Sequence, residues 1–301
     1  MSQLYKLEQY PIIKLNNPSN WTIQGTSKAG ERTGFLLNPL KIILDGGVVS
    51  SIKPLAVFLT HSHCDHTLAL PTLFGKRISQ IKGQEELYGR PLYLTKDAEL
   101  PVQKLMEATI LLSDNNSSYS NNYDSKEKIW KRQGYHPIIA NVNDKFKIPG
   151  MDNILVEVLK AYHSSECVGY GFSSVKNKLK NEYLNFSKQE KLDFKNKGGI
   201  LTEEKITHEF VFFCDSSIYN LEKHDEWKKY PIIICECTGF PEIKIFYKDS
   251  HTYLDDIELI IRLNKEKKWF LIHSSKAISK ETLMKHQDRL NKDGLDVTFI
   301  D

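Results

Sequence analysis

The chain has 301 residues, 40% hydrophobic and 26% charged, with a formal net charge of +3. That length suits one large α/β domain or two smaller ones, and so small a net charge excludes a global basic field, so a nucleic-acid partner would have to meet a local patch. No apolar run approaches the roughly 18 residues that cross a bilayer, Met1–Tyr10 lacks a basic region followed by an apolar core, and five cysteines without a C-x-x-C pair favour free thiols in a reducing compartment. The expectation is an intracellular protein, cytoplasmic or nuclear, not secreted and with no membrane partner.

Strands are expected at Tyr10–Leu15, Gly34–Leu37 and Ile42–Asp45, with turns at Asn16–Ser19 and Gly46–Gly47. The apolar run Leu55–Thr60 reads as a buried strand. It leads directly into His61-Ser62-His63-Cys64-Asp65-His66, so three of the ten histidines fall within six residues. An extended chain aims His61, His63 and Asp65 to one side, and a turn then brings in His66. Packing does not account for such a set, because buried imidazoles and carboxylates are costly unless paired or metal-bound. A helix start follows over Thr67–Phe74, then strand Pro91–Leu94 and helix Ala98–Leu112. Ser113–Ser125 is rich in Ser, Asn and Asp and reads as a surface loop.

Strands resume at Pro137–Val142, Lys145–Ile148 and Ile154–Ala161. Beyond a lysine-rich stretch come strand Phe210–Cys214, helix Asn220–Lys229, strand Pro231–Glu236, helix Leu254–Leu263, strand Trp269–Ile272, helix Ser279–Leu290 and strand Val297–Ile300. Antiparallel strands first and β–α alternation later suggest an α/β fold of two packed sheets with helices outside.

One motif supplies too few ligands for two metal ions. Four later residues stand at or just after strand ends, where rigid elements hold geometry best: His163, Asp215, Glu236 and His273. Singly, each has an ordinary reading as a turn, a helix cap or a satisfied polar group. The set and its order carry the argument.

That order resembles ribonuclease Z, the tRNA 3′-processing endonuclease of the metallo-β-lactamase superfamily, and is closest to the short plant-like type. The motif H-x-H-x-D-H-x-x-G-L-P is matched from His61 to Pro71 with Ala69 at the glycine. His163 precedes a strand that contains Gly169-Tyr170-Gly171-Phe172. Cys214-Asp215-Ser216 stands at the G-D-T motif, Glu236-Cys237-Thr238 at E-A/S-T, His251-Thr252 at a later histidine motif and His273-Ser274-Ser275 at H-F-S. The departures are Cys for Gly at 214, Ser for Phe at 274 and Ala277-Ile278 where Arg-Tyr closes the family's last motif.

The resemblance implies one metallo-β-lactamase αβ/βα sandwich over residues 1–301, with a lysine-rich RNA-binding arm inserted at 173–199. It implies one ion on His61, His63 and His163, a second on Asp65, His66 and His273, and Asp215 bridging them. Nitrogen and carboxylate donors suit Zn²⁺, with Mn²⁺ or Fe as substitutes. A hydroxide bridging the two ions is the expected nucleophile. Asp65, Glu236 and His251 are the expected catalytic residues, with His251 as proton donor to the leaving oxygen and Glu236 as its partner.

Residues 176–197 hold seven lysines, Lys176, Lys178, Lys180, Lys188, Lys191, Lys195 and Lys197, interleaved with Tyr183, Phe186 and Phe194. On composition this is a solvated helix or hairpin. The family's similar K-L-K-x-E-Y stretch, here Lys178 to Tyr183, makes it an arm whose lysines would neutralise RNA phosphates. The implied substrate is precursor tRNA, cut by phosphodiester hydrolysis to leave a 3′-hydroxyl, and the implied assembly is a homodimer. Two other readings stay open: a different dinuclear phosphodiesterase of the superfamily, and a catalytically silent RNA-binding relative.

Overall fold

The computed structural model describes residues 6–74, 89–113, 134–243 and 249–301. Among them are two seven-stranded sheets, each with its strands in chain order. The first holds β1 (Ile12–Lys14), β2 (Thr22–Lys28), β3 (Arg32–Asn38), β4 (Ile42–Leu44), β5 (Ala56–Phe58), β6 (Arg90–Leu94) and β7 (Tyr135–Ile139). The second holds β8 (Lys145–Ile148), β9 (Met151–Lys160), β10 (Val168–Leu179), β11 (Thr202–Phe212), β12 (Ile232–Glu236), β13 (Lys268–Ile272) and β14 (Asp296–Phe299). In the first, β1 to β4 pair antiparallel and β4 to β7 parallel. In the second, β8 to β11 pair antiparallel and β11 to β14 parallel. The plan expected once along the chain is therefore carried out twice, once per sheet.

Side-chain alternation decides what meets what. Ala56 and Phe58 of β5, Ile232 and Ile234 of β12, and Phe270 and Ile272 of β13 face the core between the sheets. Phe35 meets Phe212 edge-on at 6.1 Å and Phe58 meets Phe172 at 5.2 Å across that core. Full burial of each such ring contributes about 1.5–3 kcal/mol, so the two sheets are locked face to face. The alternate residues face outward onto helices. Val57 and Leu92 pack with Leu70 and Leu73 of α2 (Leu70–Leu73) and with Val102 and Met106 of α3 (Lys96–Ser113), which α1 (Cys64–Thr67) precedes. Ile233, Trp269 and Leu271 pack with Ile257, Ile260 and Ile261, the i, i+3, i+4 stripe of the helix Leu254–Leu263, and with Leu283 and Leu290 of the helix Lys280–Lys292. The expected sandwich with outer helices is what forms.

Three local expectations are corrected. Thr22–Lys28, unassigned from sequence, is β2 with five consecutive buried residues. Its Gln24, Thr26 and Ser27 are buried polar groups, which hid the strand's apolar signal. Asn220–Lys229 is not one helix but a turn of helix α5 (Tyr219–Glu222) and a 3₁₀ turn at Glu226–Lys229. On an unbroken helix Leu221 and Trp227 would face different ways; the break buries both and lets the Trp227 indole donate to the Leu221 carbonyl at 3.1 Å. Finally, the helix start expected over Thr67–Phe74 is divided: α1 already begins at Cys64 and ends at Thr67, and a second short helix, α2, starts at Leu70. Of the expected loop 113–125, all but its first residue lies outside the described residues.

The lysine-rich segment is a hairpin. Past Ser174, β10 pairs with β11 alone, from Val175↔Ile206 to Leu179↔Thr202. The ribbon carries a 3₁₀ turn at Asn181–Tyr183 and, after the break before it, α4 (Lys188–Asn196), which the preceding Ser187 and Glu190 cap reciprocally. With α4 placed, Leu254–Leu263 is α6 and Lys280–Lys292 is α7. Tyr183 packs on Phe186 at 5.2 Å and on Phe194 at 4.8 Å.

Candidate metal centre

The expected metal and catalytic residues stand together around the carboxyl ends of parallel strands, the edge where α/β sheets place their ligands. His61 follows β5, Asp215 follows β11, Glu236 ends β12 and His273 follows β13, and they are joined there by Asp45 after β4 and Thr60 after β5. The turn after β4 passes directly under the histidine loop. A Cβ on Gly47 would lie 1.7 Å from the Asp65 carbonyl oxygen, so only glycine lets that backbone through. Gly46 N–H also donates to the His66 carbonyl at 2.6 Å. Asp45 and His273 both hold left-handed backbone, with φ of 57° and 59°, a strained state that non-glycine residues keep where their surroundings fix them.

Two groups of donors share one carboxylate. His61, His63, His163 and Asp215 form the first, and His66, Cys214, Asp215 and His273 the second, with the ligand atoms in each within 4.8 Å of one another. Asp215 Oδ2 lies 3.8 Å from both His61 Nε2 and His163 Nε2. Its Oδ1 lies 3.2 Å from His66 Nε2 and 3.1 Å from His273 Nε2. Asp65 borders the second group, its Oδ2 3.4 Å from His66 Nε2 while accepting from Gly30 N–H at 3.0 Å.

Outer partners fix which imidazole nitrogen faces inward. His66 Nδ1 donates to Asp45 Oδ2 at 3.0 Å, and His163 Nδ1 donates to the Ser250 carbonyl at 2.9 Å. With a cation bound, each would leave Nε2 with a lone pair toward the cluster, the arrangement that orients a metal-binding histidine. His273 Nδ1 meets Ser27 and Thr33 hydroxyls at 3.2 and 3.3 Å, and His61 Nδ1 meets Thr60 at 3.1 Å. Asp45 also accepts from Thr60 N–H at 2.8 Å. Asp45, Ser27 and Thr33 are site residues that sequence reasoning did not find. The aspartate sits in Asp45-Gly46-Gly47, which reads as a turn, and nothing in sequence ties it to a histidine 21 positions away.

The residues present fit divalent cations. His61 Nε2 and His66 Nε2 are buried without a hydrogen-bond partner, a costly state unless a cation meets them. Burial pushes the His61 pKa well down, and neighbouring His66 adds to it, so His61 offers a neutral lone pair. Burial also opposes the charge on Asp215, yet His273 and His66 hold its carboxyl well below the ordinary range. Burial likewise works against charge on His66, and Asp215 and Asp45 outweigh it, raising that imidazole well above its ordinary value. The same carboxylates that hold a proton there would hold a cation.

Glu236 and His251 stand beside the cluster. Glu236 is fully buried and accepts from Ser216 N–H and the Thr238 hydroxyl. Both its oxygens lie 3.1 Å from His251 Nδ1. Burial opposes the imidazolium form of His251, but the Glu236 carboxylate outweighs it and lifts the pKa to about 9. The His251 ring lies 5.2 Å from that of His163 and 6.0 Å from that of His273, between the two donor groups.

The lysines lie elsewhere. Lys176, Lys178, Lys188, Lys195 and Lys197 are exposed and Lys180 and Lys191 half-buried, all on the ribbon or its tip. Val168 N–H donates to the Thr60 carbonyl, so β10 starts at the site and runs away from it. At about 3.3 Å per residue, Lys176 is about 26 Å along the strand and Lys180 about 40 Å.

No family model matches the chain. Comparison with solved structures gives a TM-score of 0.51 at 14% identity, over 92% of this chain and 94% of the other, with a metallo-β-lactamase fold protein, YhfI from Bacillus subtilis. This chain has the metallo-β-lactamase fold. In sequence it is similar to tRNase Z TRZ1 of Arabidopsis thaliana, 24% identical over 263 residues that cover 85% of each chain. It is also similar to the chloroplastic tRNase Z TRZ2 of the same plant, 22% identical over 74% of this chain and 58% of that one. The likeness to ribonuclease Z read from the motifs thus extends over most of the metallo-β-lactamase sandwich. No described helix is long and apolar enough to cross a membrane.

Proposed function

We propose that this protein is a metal-dependent endoribonuclease that removes the 3′ trailer of precursor tRNA by phosphodiester hydrolysis, leaving a 3′-hydroxyl. The observation that carries the reading is the Asp215 carboxylate, which presents one oxygen to each of two histidine groups. The similarity to the Arabidopsis tRNase Z proteins supports the substrate class.

His61, His63 and His163 would hold one divalent ion and Asp65, His66 and His273 a second, with Asp215 between them; Zn²⁺ fits these donors first, Mn²⁺ or Fe next. Bound there, such ions supply Lewis acidity that makes a nucleophile of water near neutral pH and offsets the negative charge gathering on phosphorus. The chain's own residues do the rest. Asp45 and the Ser250 carbonyl keep His66 and His163 in the tautomer that faces inward. Asp65, fixed by Gly30 N–H, adds a second carboxylate at the rim. Glu236 holds the proton on His251 at Nδ1 and orients the ring, and His251 gives a proton to the leaving oxygen. The five cysteines are all free, which suits a reducing compartment.

The lysine ribbon would bind RNA backbone, where each neutralised phosphate releases a counterion. Its distance from the site requires a substrate tens of ångströms long, or a second copy of the chain whose ribbon grips the RNA held at its partner's site. A homodimer meets that requirement for a folded tRNA. Chelator-sensitive cleavage of a precursor tRNA at one position after the acceptor stem is the test. Hydrolysis of small phosphodiesters alone would move the assignment to another phosphodiesterase of this fold, and RNA binding without any cleavage to a silent relative.

A further inference from the structure

Cys214 stands directly before Asp215 and is 1% exposed. Its Sγ lies 3.5 Å from Asp215 Oδ1, the oxygen that is 3.2 Å from His66 Nε2 and 3.1 Å from His273 Nε2. The sulfur, the two imidazole nitrogens and the carboxylate oxygen all lie within 4.8 Å of one another, and all four residues are buried. Donors around a tetrahedral zinc ion, at about 2.0–2.1 Å for nitrogen and about 2.3 Å for sulfur, stand roughly 3.3–3.7 Å apart. The separations of Asp215 Oδ1 from His273, His66 and Cys214, at 3.1, 3.2 and 3.5 Å, are close to that spacing. A second observation points the same way: His66 Nε2, in the same group, is buried and makes no aligned hydrogen bond, although Asp215 Oδ1 stands 3.2 Å from it. Asp65, the donor expected from sequence, stands outside this group with an oxygen already engaged by Gly30 N–H. The other thiols differ. Cys167 donates to the Asp215 main-chain carbonyl, Cys237 faces the Gly239 carbonyl and Cys235 packs against the outer helices.

We propose that Cys214 is a thiolate ligand of a divalent, thiophilic cation held with His66, Asp215 and His273. The inference rests on the metal-centre reading above and deepens it. On ligation the S–H proton passes to solvent and the sulfur electron pair forms the bond to the cation, with no change of oxidation state. The two halves of the centre are then chemically unequal. The half with His61, His63 and His163 offers only nitrogen and oxygen; the Cys214 half is softer and selects Zn²⁺ over Mn²⁺.

The test is X-ray absorption at the zinc edge on the full chain loaded with zinc chloride, with bound zinc counted by mass spectrometry. The proposal expects a sulfur scatterer at about 2.3 Å in the native protein and in C64S, C167S, C235S and C237S, and its loss in C214S. Bound zinc with a shell of nitrogen and oxygen alone overturns the proposal and leaves the metal centre standing. A sulfur signal that survives in C214S also overturns it. Failure to bind zinc at all overturns both readings. Should C214S not fold, the native spectrum still decides by the presence of sulfur, and its persistence in C64S, C167S, C235S and C237S assigns it to Cys214, the one remaining thiol.

Discussion

At its first residue β10 lies against the donor cluster, where the Val168 N–H donates to the Thr60 carbonyl just before His61 and the surroundings are buried. Eleven residues on, at Leu179, the same strand is half of an exposed ribbon paired only with β11. At the near end charge is sequestered: His61, His66 and Asp215 are almost wholly buried. Each is held by named partners, and a single cation or proton alters the whole group. At the far end charge is dispersed over solvated lysines, with Lys178 opposite Glu203 and Asn177 opposite Glu204. Screened surface charges of that kind contribute little to stability but do set affinity for a polyanion. On the proposed function one end would serve chemistry and the other grip, and the two should fail independently.

The largest effect should come from the near end. Asp65→Ala and His163→Ala are each expected to lower turnover on precursor tRNA by about 10³-fold or more, with bound metal reduced and RNA affinity kept. Full activity in either would remove the metal site. Next in size, His251→Ala should lower turnover by about 10²–10⁴-fold while metal content holds; loss of metal would make His251 a ligand or a structural residue. Deleting 176–197 should raise KM for precursor tRNA while leaving hydrolysis of a small phosphodiester unchanged. Equal loss on both substrates would break the division between the ends. Lys176→Ala with Lys178→Ala should weaken RNA binding more gently and flatten its salt dependence, the log–log slope falling by about one for each phosphate no longer neutralised.

The smallest effect lies outside both ends. Arg289 and Arg262 hold the Glu258 carboxyl down at about 2 from its ordinary 4.5, joining α6 to α7. A depressed folded pKa means this contribution is full above about pH 4.5 and is lost as pH falls toward 2. Glu258→Gln should therefore lower the melting temperature slightly at neutral pH and leave less to lose on acidification, with cleavage unchanged.

The sequence made much of the near end legible because its donors sit at strand ends with fixed spacing. His61, His63 and His66 lie in one loop, and apolar runs such as Phe210–Phe213 and Ile232–Ile234 mark where Asp215 and Glu236 emerge. What stayed hidden is what tertiary packing alone creates. Asp45 looks like a turn residue until His66 folds over it. The polar side chains of β2 look like loop until Ser27 is seen beneath His273. Cys214 looks like a packing change until its sulfur is seen among donors from two other strand ends. The ribbon was half legible: its lysines are plain, but the alternation that makes Lys176 and Lys178 strand residues depends on pairing with β11, some 25 residues later.

The most direct test is cleavage of an end-labelled precursor tRNA carrying a 3′ trailer, with and without chelator, and with the cut mapped to the nucleotide. One chelator-sensitive cut at the 3′ end of the acceptor stem, leaving a 3′-hydroxyl, is expected. Metal bound at the site with no cut in that RNA would contradict the proposed function.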